Sequence, residues 1–276
     1  MLSGTLRKMR AELGIENSPD EVSYFLPLGQ QELPLNEYIG KYMKLEFLGG
    51  IICKNCGRTT KKSFSQGFCF PCMRKLARCD MCILKPETCH FHKGTCREPE
   101  WGESNCFVPH FVYLSNTSGL KVGITRHTQI PTRWIDQGAT QATIIFKVES
   151  RRQSGYVETA FKSLVADKTN WRTMLKENQA DMDLLAIGNE LKAGFREKIS
   201  ALSDIMPAEA IEDQSNDVTR IRYPVLAFPK TIKSHNFDKQ PVVEGTLVGI
   251  KGQYLIFDTG LINIRKFTSY EVSASD

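Results

Sequence analysis

All cysteines of this 276-residue chain, nine in number, fall in one block between residues 53 and 106. The first four have the spacing C-x2-C-x12-C-x2-C, which makes two short hooks of Cys53 with Cys56 and of Cys69 with Cys72. Each hook can present two thiolates to one tetrahedral ion, as a structural zinc site requires. The spacing therefore predicts a zinc-ribbon module in this part of the chain.

Zinc is favoured over disulfide bonds for these cysteines. Disulfide frameworks are typical of short secreted chains, whereas this sequence begins MLSGTLRKMR, without an apolar signal core, and its cysteine count is odd. Four thiolates complete the coordination of zinc, so the expected role is structural and coupled to folding. We expect a cytoplasmic protein with no membrane span, because no apolar run is long enough for one.

A third hook predicts a second zinc site in ARCDMCILKPETCHFHKGTC. The favoured ligands are Cys79, Cys82, Cys89 and Cys96. In the alternative, Cys89 is simply buried and a histidine, His90 or His92, is a ligand. Cys106 and His110 follow downstream and either are spare or join the site. The chain is thus expected to bind one or two structural zinc ions.

Basic and aromatic residues are interspersed in the predicted zinc-binding module, and the formal net charge of the chain is +5. The side chains predicted to contact nucleic acid are Lys54, Arg58, Lys61, Lys62, Arg74 and Lys75. Basic groups bind phosphates, and the rings of Phe64, Phe68 and Phe70 can stack on bases. The alternative is a solvated zinc knuckle whose aromatic rings turn inward.

Hydrophobic periodicity divides the chain into five segments and predicts an α+β fold. The segments are a β-rich part (1–50), the zinc-binding module (51–107), an α/β domain (108–205), an acidic linker (206–218) and a second β-rich part (219–276). The two β-rich parts are predicted to pair and to close one small barrel. A long helix is predicted over residues 179–202.

The α/β domain has the order strand, strand, helix, strand, helix. FVYL, with Tyr113, and KVGIT, starting at Lys121, form the first two strands, and Arg133 and Glu158 lie in the two helices. This pattern resembles the GIY-YIG nuclease superfamily, which implies a three-stranded antiparallel sheet with flanking helices. More narrowly, residues 45–180 resemble an uncharacterised bacterial zinc-ribbon family, defined as a domain of unknown function, through the cysteine hooks, KVGIT, RWIDQGA and DKTNWR.

The resemblance implies a possible endonuclease that hydrolyses phosphodiesters of DNA or RNA with one divalent metal. By this resemblance, Glu158 holds Mg²⁺ or Mn²⁺, Arg133 stabilises the phosphate charge, and Tyr113 or water generates the nucleophile. A guanidinium and a hard cation both stabilise the negative charge that gathers on the phosphate oxygens during hydrolysis. Gly123 is expected to let the substrate approach closely.

Two positions depart from the superfamily pattern. Lys121 stands where the second motif has a tyrosine, and Gln137 stands where a histidine is often found. A lysine cannot accept a proton unless its pKa is strongly lowered, so Lys121 is instead predicted to hold a phosphate. Tyr113 remains as a candidate base, with His110 and His127 as neighbours in sequence.

Three functions therefore stay open: a nuclease with zinc modules as nucleic-acid grips, a catalytically degenerate nucleic-acid-binding protein, and a zinc-stabilised protein-interaction module. Arg133 and Glu158 favour the first, whereas Lys121 and Gln137 favour the second. In the alternative without catalysis, Tyr113 is a half-buried strand residue, and Arg133 and Glu158 are charged residues beside the apolar positions of their helices. No membrane partner is expected, and no oligomeric state is predicted.

Overall fold

The computed structural model is a mixed α+β fold with several β-sheets and few helices. It describes residues 1–15, 18–161, 165, 170–199, 210–214 and 217–276. None of the helices in these ranges is long and apolar enough to cross a membrane. The strands are β1 (Leu2–Thr5), β2 (Arg10–Ile15), β3 (Ser18–Leu28), β4 (Gln31–Pro34), β5 (Tyr42–Ile51), β6 (His110–Asn116), β7 (Leu120–Arg126), β8 (Gln141–Val148), β9 (Ile211–Asp213), β10 (Thr219–Arg220), β11 (Val242–Lys251), β12 (Tyr254–Phe257), β13 (Gly260–Asn263) and β14 (Tyr270–Ser275). The α-helices are α1 (Phe70–Lys75), α2 (Pro99–Cys106), α3 (Thr132–Asp136), α4 (Arg151–Phe161), α5 (Trp171–Met174) and α6 (Leu184–Ile199).

The two ends of the chain meet in one six-stranded sheet, in the order β1-β14-β5-β11-β12-β13. The pairing of the N- and C-terminal parts agrees with the sequence, but the prediction of a closed barrel is wrong. Within the described residues, β1 and β13 are the two edges of an open sheet. The sheet does not curve round to close on itself, and other elements cover its inner face. Leu45 and Leu247 of the sheet share a core with Leu26 of β3 and Ile135 of α3.

The middle of the chain forms a second antiparallel sheet, with β6 between β7 and β8. Strands β9 and β10 also pair with β8, so this sheet has five strands and not the three expected. Side chains alternate across β6: Val112 and Leu114 share a core with Phe161 of α4 and Phe195 of α6, whereas Tyr113 joins the core of the terminal sheet. The predicted order of strand, strand, helix, strand, helix is therefore present, between two hydrophobic cores.

Two sequence predictions near the third quarter of the chain differ from the structure. The helix predicted over 179–202 starts later, as α6, and residues 200–202 lie outside the described residues. The predicted acidic linker 206–218 contains β9, which pairs with β8. Residues 206–209 and 215–216 of that linker also lie outside the described residues.

A buried lysine links the terminal sheet to the loop after α5. Lys251 is fully buried, and its Nζ donates to Asn178 Oδ1 at 3.1 Å and to the Glu177 carbonyl at 3.3 Å. Burial lowers the pKa of Lys251 to about 8, although the Glu177 charge opposes this. The ammonium is therefore held less favourably in the folded protein than in the unfolded chain.

The low pKa of Lys251 predicts a pH dependence of stability. Between pH 8 and pH 10 the unfolded chain binds more protons at this lysine than the folded protein does, so the free energy of unfolding should rise with pH. Relative to a Lys251→Met variant, we expect wild-type stability to gain about 1.5 kcal/mol from pH 8 to pH 9.5. Urea unfolding of both proteins at these pH values measures the difference, and a constant difference would contradict the assignment.

Candidate metal centre and arginine-lined cleft

The first four cysteines converge as their spacing predicted. The Sγ atoms of Cys53, Cys56, Cys69 and Cys72 all lie within 4.8 Å of one another, and those of Cys56 and Cys69 are 3.7 Å apart. Tetrahedral zinc with Zn–S bonds of about 2.3 Å separates its sulfur ligands by about 3.8 Å. The cluster can therefore hold a zinc ion.

Local backbone geometry explains why these cysteines meet. Gly57 adopts a φ of 70° and donates its N–H to the Cys53 carbonyl at 2.9 Å, which closes the first hook. Phe64 and Phe68 exchange two backbone hydrogen bonds of 2.8 Å, and Gly67 between them has a φ of 122°. Both glycines thus occupy turns, in conformations that other residues rarely adopt.

The thiols of this cluster have divergent acidities. Burial raises the pKa of Cys53, but N–H donors from Cys56, Cys69 and Asn55 outweigh it and lower the pKa to about 6. Burial and bonding to the other cysteines raise the pKa of Cys72 to about 12. Ionisation of one thiol thus disfavours ionisation of the next, and a bound cation would offset the repulsion between the thiolates.

The basic residues predicted as a nucleic-acid grip are all exposed: Lys54, Arg58, Lys61, Lys62, Arg74 and Lys75. Lys54 is engaged within the module, since its Nζ donates to the Gln66 carbonyl at 2.8 Å and lies 4.1 Å from the centre of the Phe68 ring. Phe68 is buried and Phe64 half-buried, whereas Phe70 is 49% exposed. Of the predicted stacking rings, Phe70 is the most accessible to a base.

The cysteines predicted for the second site separate into two groups. Cys79 packs against the core of the first cluster, beside Cys53 and Leu76. Burial, then Asp80 and the thiols of Cys89, Cys106 and Cys96, raise the pKa of Cys82 to about 11. Cys106, left open as spare by the sequence, lines one pocket with Cys82, Cys89 and Cys96, whereas Cys79 is not among the residues that line it.

A cleft of about 440 Å³ opens between the terminal sheet, the middle sheet and the second cysteine segment. Its apolar wall comes mainly from Ile83, Leu84 and Pro86, with Ile124 of β7 beside them. Its charged lining consists of Lys8, Arg126, Arg133, Asp136, Arg151, Glu158 and Arg265. Five basic side chains therefore face two carboxylates in one concave site.

The cleft has a positive field. Asp136 is already paired, because Lys8 Nζ donates to its Oδ2 at 2.8 Å and Gln253 Nε2 to its Oδ1 at 2.9 Å. Burial lowers the pKa of Arg151, and the positive charges of Arg133 and Arg126 lower it further. Arginines keep their charge at neutral pH even so, and close guanidinium groups attract anions.

The structure brings Arg133 and Glu158, two of the four predicted catalytic residues, to this cleft. Arg133 comes from α3 and Glu158 from α4, and both are half-buried. Helix α4 lies tightly on the second cysteine segment, because a Cβ at Gly155 would be 2.6 Å from the Glu87 nitrogen. The helix that carries Glu158 is therefore positioned by both the middle sheet and that segment.

Tyr113 lies behind the cleft, fully buried under Arg133. Its ring covers Gly123, where a Cβ would be 2.5 Å from Tyr113 Cζ. The close approach expected of a substrate at Gly123 is thus made by this ring. Burial raises the pKa of Tyr113, although Arg133 opposes the rise.

Gln137 joins Tyr113 to Arg133. In the amide orientation that satisfies both neighbours, Gln137 Nε2 donates to Tyr113 Oη at 2.8 Å, and its Oε1 accepts from Arg133 Nε and Nη2 at 3.2 Å each. The residue that departs from the superfamily pattern is therefore a bridge that orients the guanidinium. Lys121 is buried two strand positions before Gly123 and, among the described residues, is not part of the cleft lining.

The two histidines near the domain do not line the cleft described here. His110 is buried, its Nδ1 lies 2.7 Å from the Val108 carbonyl, and burial lowers its pKa to about 4. His127 is exposed, with its Nδ1 3.1 Å from the Pro109 carbonyl. Both side chains are thus bonded to the loop that precedes β6.

Sequence reasoning missed four basic residues of the cleft: Lys8, Arg126, Arg151 and Arg265. Lys8 and Arg265 come from opposite ends of the chain, and each of the four stands in an ordinary polar context. Only the mild basic charge of the chain hinted at such a surface. Their convergence follows from the pairing of the two terminal parts around the middle domain.

A protein-family model matches most of the chain. A family model described as "Protein of unknown function (DUF2797)" matches residues 40–272. No curated protein and no solved structure matches the chain. The matched range includes both cysteine clusters and all of the cleft lining except Lys8.

Proposed function

The chain belongs to the DUF2797 family, and from its geometry we propose that it is a metal-dependent phosphodiester nuclease acting on DNA or RNA. The proposed architecture is a zinc ribbon followed by a GIY-YIG-like domain. The observation that carries the proposal is the cleft in which Arg133 and Glu158 lie together with four further basic side chains. Nucleic-acid backbones are polyanions, and clustered arginines bind them strongly.

Each cleft residue has a role that its surroundings support. Arg133 stabilises the charge that gathers on the phosphate during hydrolysis. Glu158 is a half-buried carboxylate that faces an open cleft, and one carboxylate with waters is a common Mg²⁺ arrangement. When bound there, Mg²⁺ or Mn²⁺ supplies a Lewis acid to the phosphate oxygens.

Tyr113 acts in this proposal as a positioning residue. Its raised pKa and full burial make it a poor proton acceptor, and it contacts Gln137, which contacts Arg133. The guanidinium is held in place by this chain of hydrogen bonds. Water is the proposed nucleophile, and the exposed basic residues around the first zinc cluster extend the phosphate-binding surface.

A second candidate function is nucleic-acid binding without cleavage. The specific observation in its favour is that Tyr113 is buried while Lys121 lies apart from the cleft lining within the described residues. Two positions that carry chemistry in the superfamily then contribute packing here. The positive cleft would still bind a phosphate backbone.

The test is incubation of the protein with Mg²⁺ or Mn²⁺ and single-stranded, duplex and branched DNA and RNA. We expect Glu158→Gln to lower the cleavage rate by about 100-fold or more while binding persists, because it removes the proposed metal ligand. Arg133→Ala should lower both cleavage and binding. Binding should weaken steeply with salt, since phosphate contacts release counterions.

Matched controls change exposed residues of the same type, as in Glu149→Gln and Arg172→Ala, and should leave both activities unchanged. Binding without cleavage, unaffected by Glu158→Gln, would support the second function. The absence of both binding and cleavage for every substrate would refute a nucleic-acid role and leave the interaction module.

A further inference from the structure

We propose a second metal site, in which Cys82, Cys89, Cys96 and Cys106 bind one structural zinc ion. All four cysteines line a single pocket with about 20 Å³ of free space. A space of that size holds about one water-sized atom. Such a space suits one metal ion, and four thiolates are a common ligand set for structural zinc. The sulfur atoms of these cysteines are not as close as those of the first cluster, which all lie within 4.8 Å of one another, so a bound ion would draw them together.

Four separate parts of the chain bring these cysteines to the pocket. Cys82 lies in the 3-10 turn Met81–Ile83, Cys89 follows the 3-10 turn Pro86–Thr88, and Cys106 ends α2. Cys96 reaches the same place from the loop before α2, where a Cβ at Gly102 would lie 3.5 Å from its Sγ. Such convergence from short turns is typical of structural zinc modules.

The segment has no apolar core of its own. Between residues 78 and 107, all of which the structure describes, no large apolar side chain is fully buried. Five short helical turns in this span are joined without any strand. Small modules of this kind depend on a metal or disulfides, since their core cannot offset the entropy lost on folding.

Asp80 and His90 also lie near Cys82, with ligand atoms within 4.8 Å. Both are already engaged by the protein. Asp80 accepts from Arg97 Nε at 2.7 Å and from the Met81 N–H at 2.6 Å, and His90 Nδ1 lies 2.7 Å from Thr95 Oγ1. His90 Nε2 in turn lies 3.5 Å from Asp80 Oδ2, so these two side chains also contact each other. The proposal therefore takes the four thiols as ligands and Asp80 and His90 as their neighbours.

The proposed site also shapes the cleft. Residues 83–86, between the first two ligands, supply the apolar wall of the cleft. Arg151 donates to the Ile83 carbonyl, and α4 lies against Pro86 at Gly155. Zinc at the second site would hold this wall against the helix that carries Glu158. The site itself stands whether or not the cleft is catalytic.

Zinc analysis by inductively coupled plasma mass spectrometry tests the assignment. We expect two zinc ions per wild-type chain and one in Cys106→Ser, whereas Cys79→Ser and His90→Ala should retain two. X-ray absorption of the unmodified protein should show only sulfur ligands, which tests the donor set even if a variant fails to fold. One zinc per wild-type chain, two in Cys106→Ser, a nitrogen or oxygen ligand, or visible iron–sulfur absorbance would each overturn the proposal.

Discussion

Replacing Cys69 by serine is expected to remove one zinc ion per chain and to unfold the module that binds it. The core of this module has four buried residues, Cys53, Phe68, Cys69 and Leu76, and two of them belong to the cluster of four thiols. A structural zinc site contributes on the order of 10 kcal/mol to the folding of so small a unit. Zinc content and the rate of proteolysis within residues 53–76 measure the two effects.

The effect of Cys69→Ser should reach the cleft. The module is attached to the terminal sheet by Ser269 Oγ, which donates to the Gly67 carbonyl at 2.9 Å. Arg265, a cleft residue, donates from Nε to Gln66 Oε1 at 2.6 Å. Loss of the turn at residues 66–67 therefore frees one of the five basic side chains, and binding of a phosphate backbone should weaken.

Cys79→Ser is the matched control for this experiment. Cys79 packs beside the same small core but is not among the four cysteines whose sulfurs cluster. It should keep the full zinc content and the proteolytic resistance of the wild type. A Cys69→Ser protein that behaved the same way would show that the first cluster does not bind the metal.

Local features of the sequence predicted the first cluster well. Its ligands lie in two short hooks, and Gly57 and Gly67 sit in the turns that close them. Residue spacing and backbone conformation are local quantities, so they can be predicted from a short stretch of sequence. The same holds for the strands and helices of the middle domain, whose periodicities are visible within ten residues.

The grouping of the later cysteines was harder to predict, because residue spacing does not show in which direction a side chain points. Cys79 and Cys82 have the spacing of a hook, but they belong to two different 3-10 turns. Between these turns Asp80 is extended, with φ of −71° and ψ of 158°. The two side chains therefore join different groups, and Cys106 lies with the second one.

The cleft and the open sheet depend on contacts distant in sequence. Lys8 and Arg265 reach the cleft only because β1, β5 and β14 pair. The sheet stays open because β3 and α3 cover its inner face, a fact of tertiary packing. Strand patterns identify the partners of such a sheet but do not distinguish an open sheet from a barrel.

Gly123→Ala is expected to destabilise the protein by about 3 kcal/mol, an overpacking effect at the upper end of the usual range. The new Cβ would lie 2.5 Å from Tyr113 Cζ and 2.6 Å from its Oη. The ring can move away only by disturbing its neighbours, because it is fully buried and packs edge-on against Trp134 with centroids 6.0 Å apart. Urea denaturation measures the loss of stability.

Gly194→Ala is the control, since a Cβ there meets nothing within 4 Å and the residue lies in α6. It should stabilise the protein slightly through helix propensity. A double-mutant cycle tests the cause: once Tyr113→Leu removes the outer ring atoms, Gly123→Ala should cost much less. Additive effects would place the strain elsewhere. Since the displaced ring would also lose Gln137 and so the support of Arg133, the Gly123→Ala protein should bind a phosphate backbone more weakly than the Gly194→Ala protein.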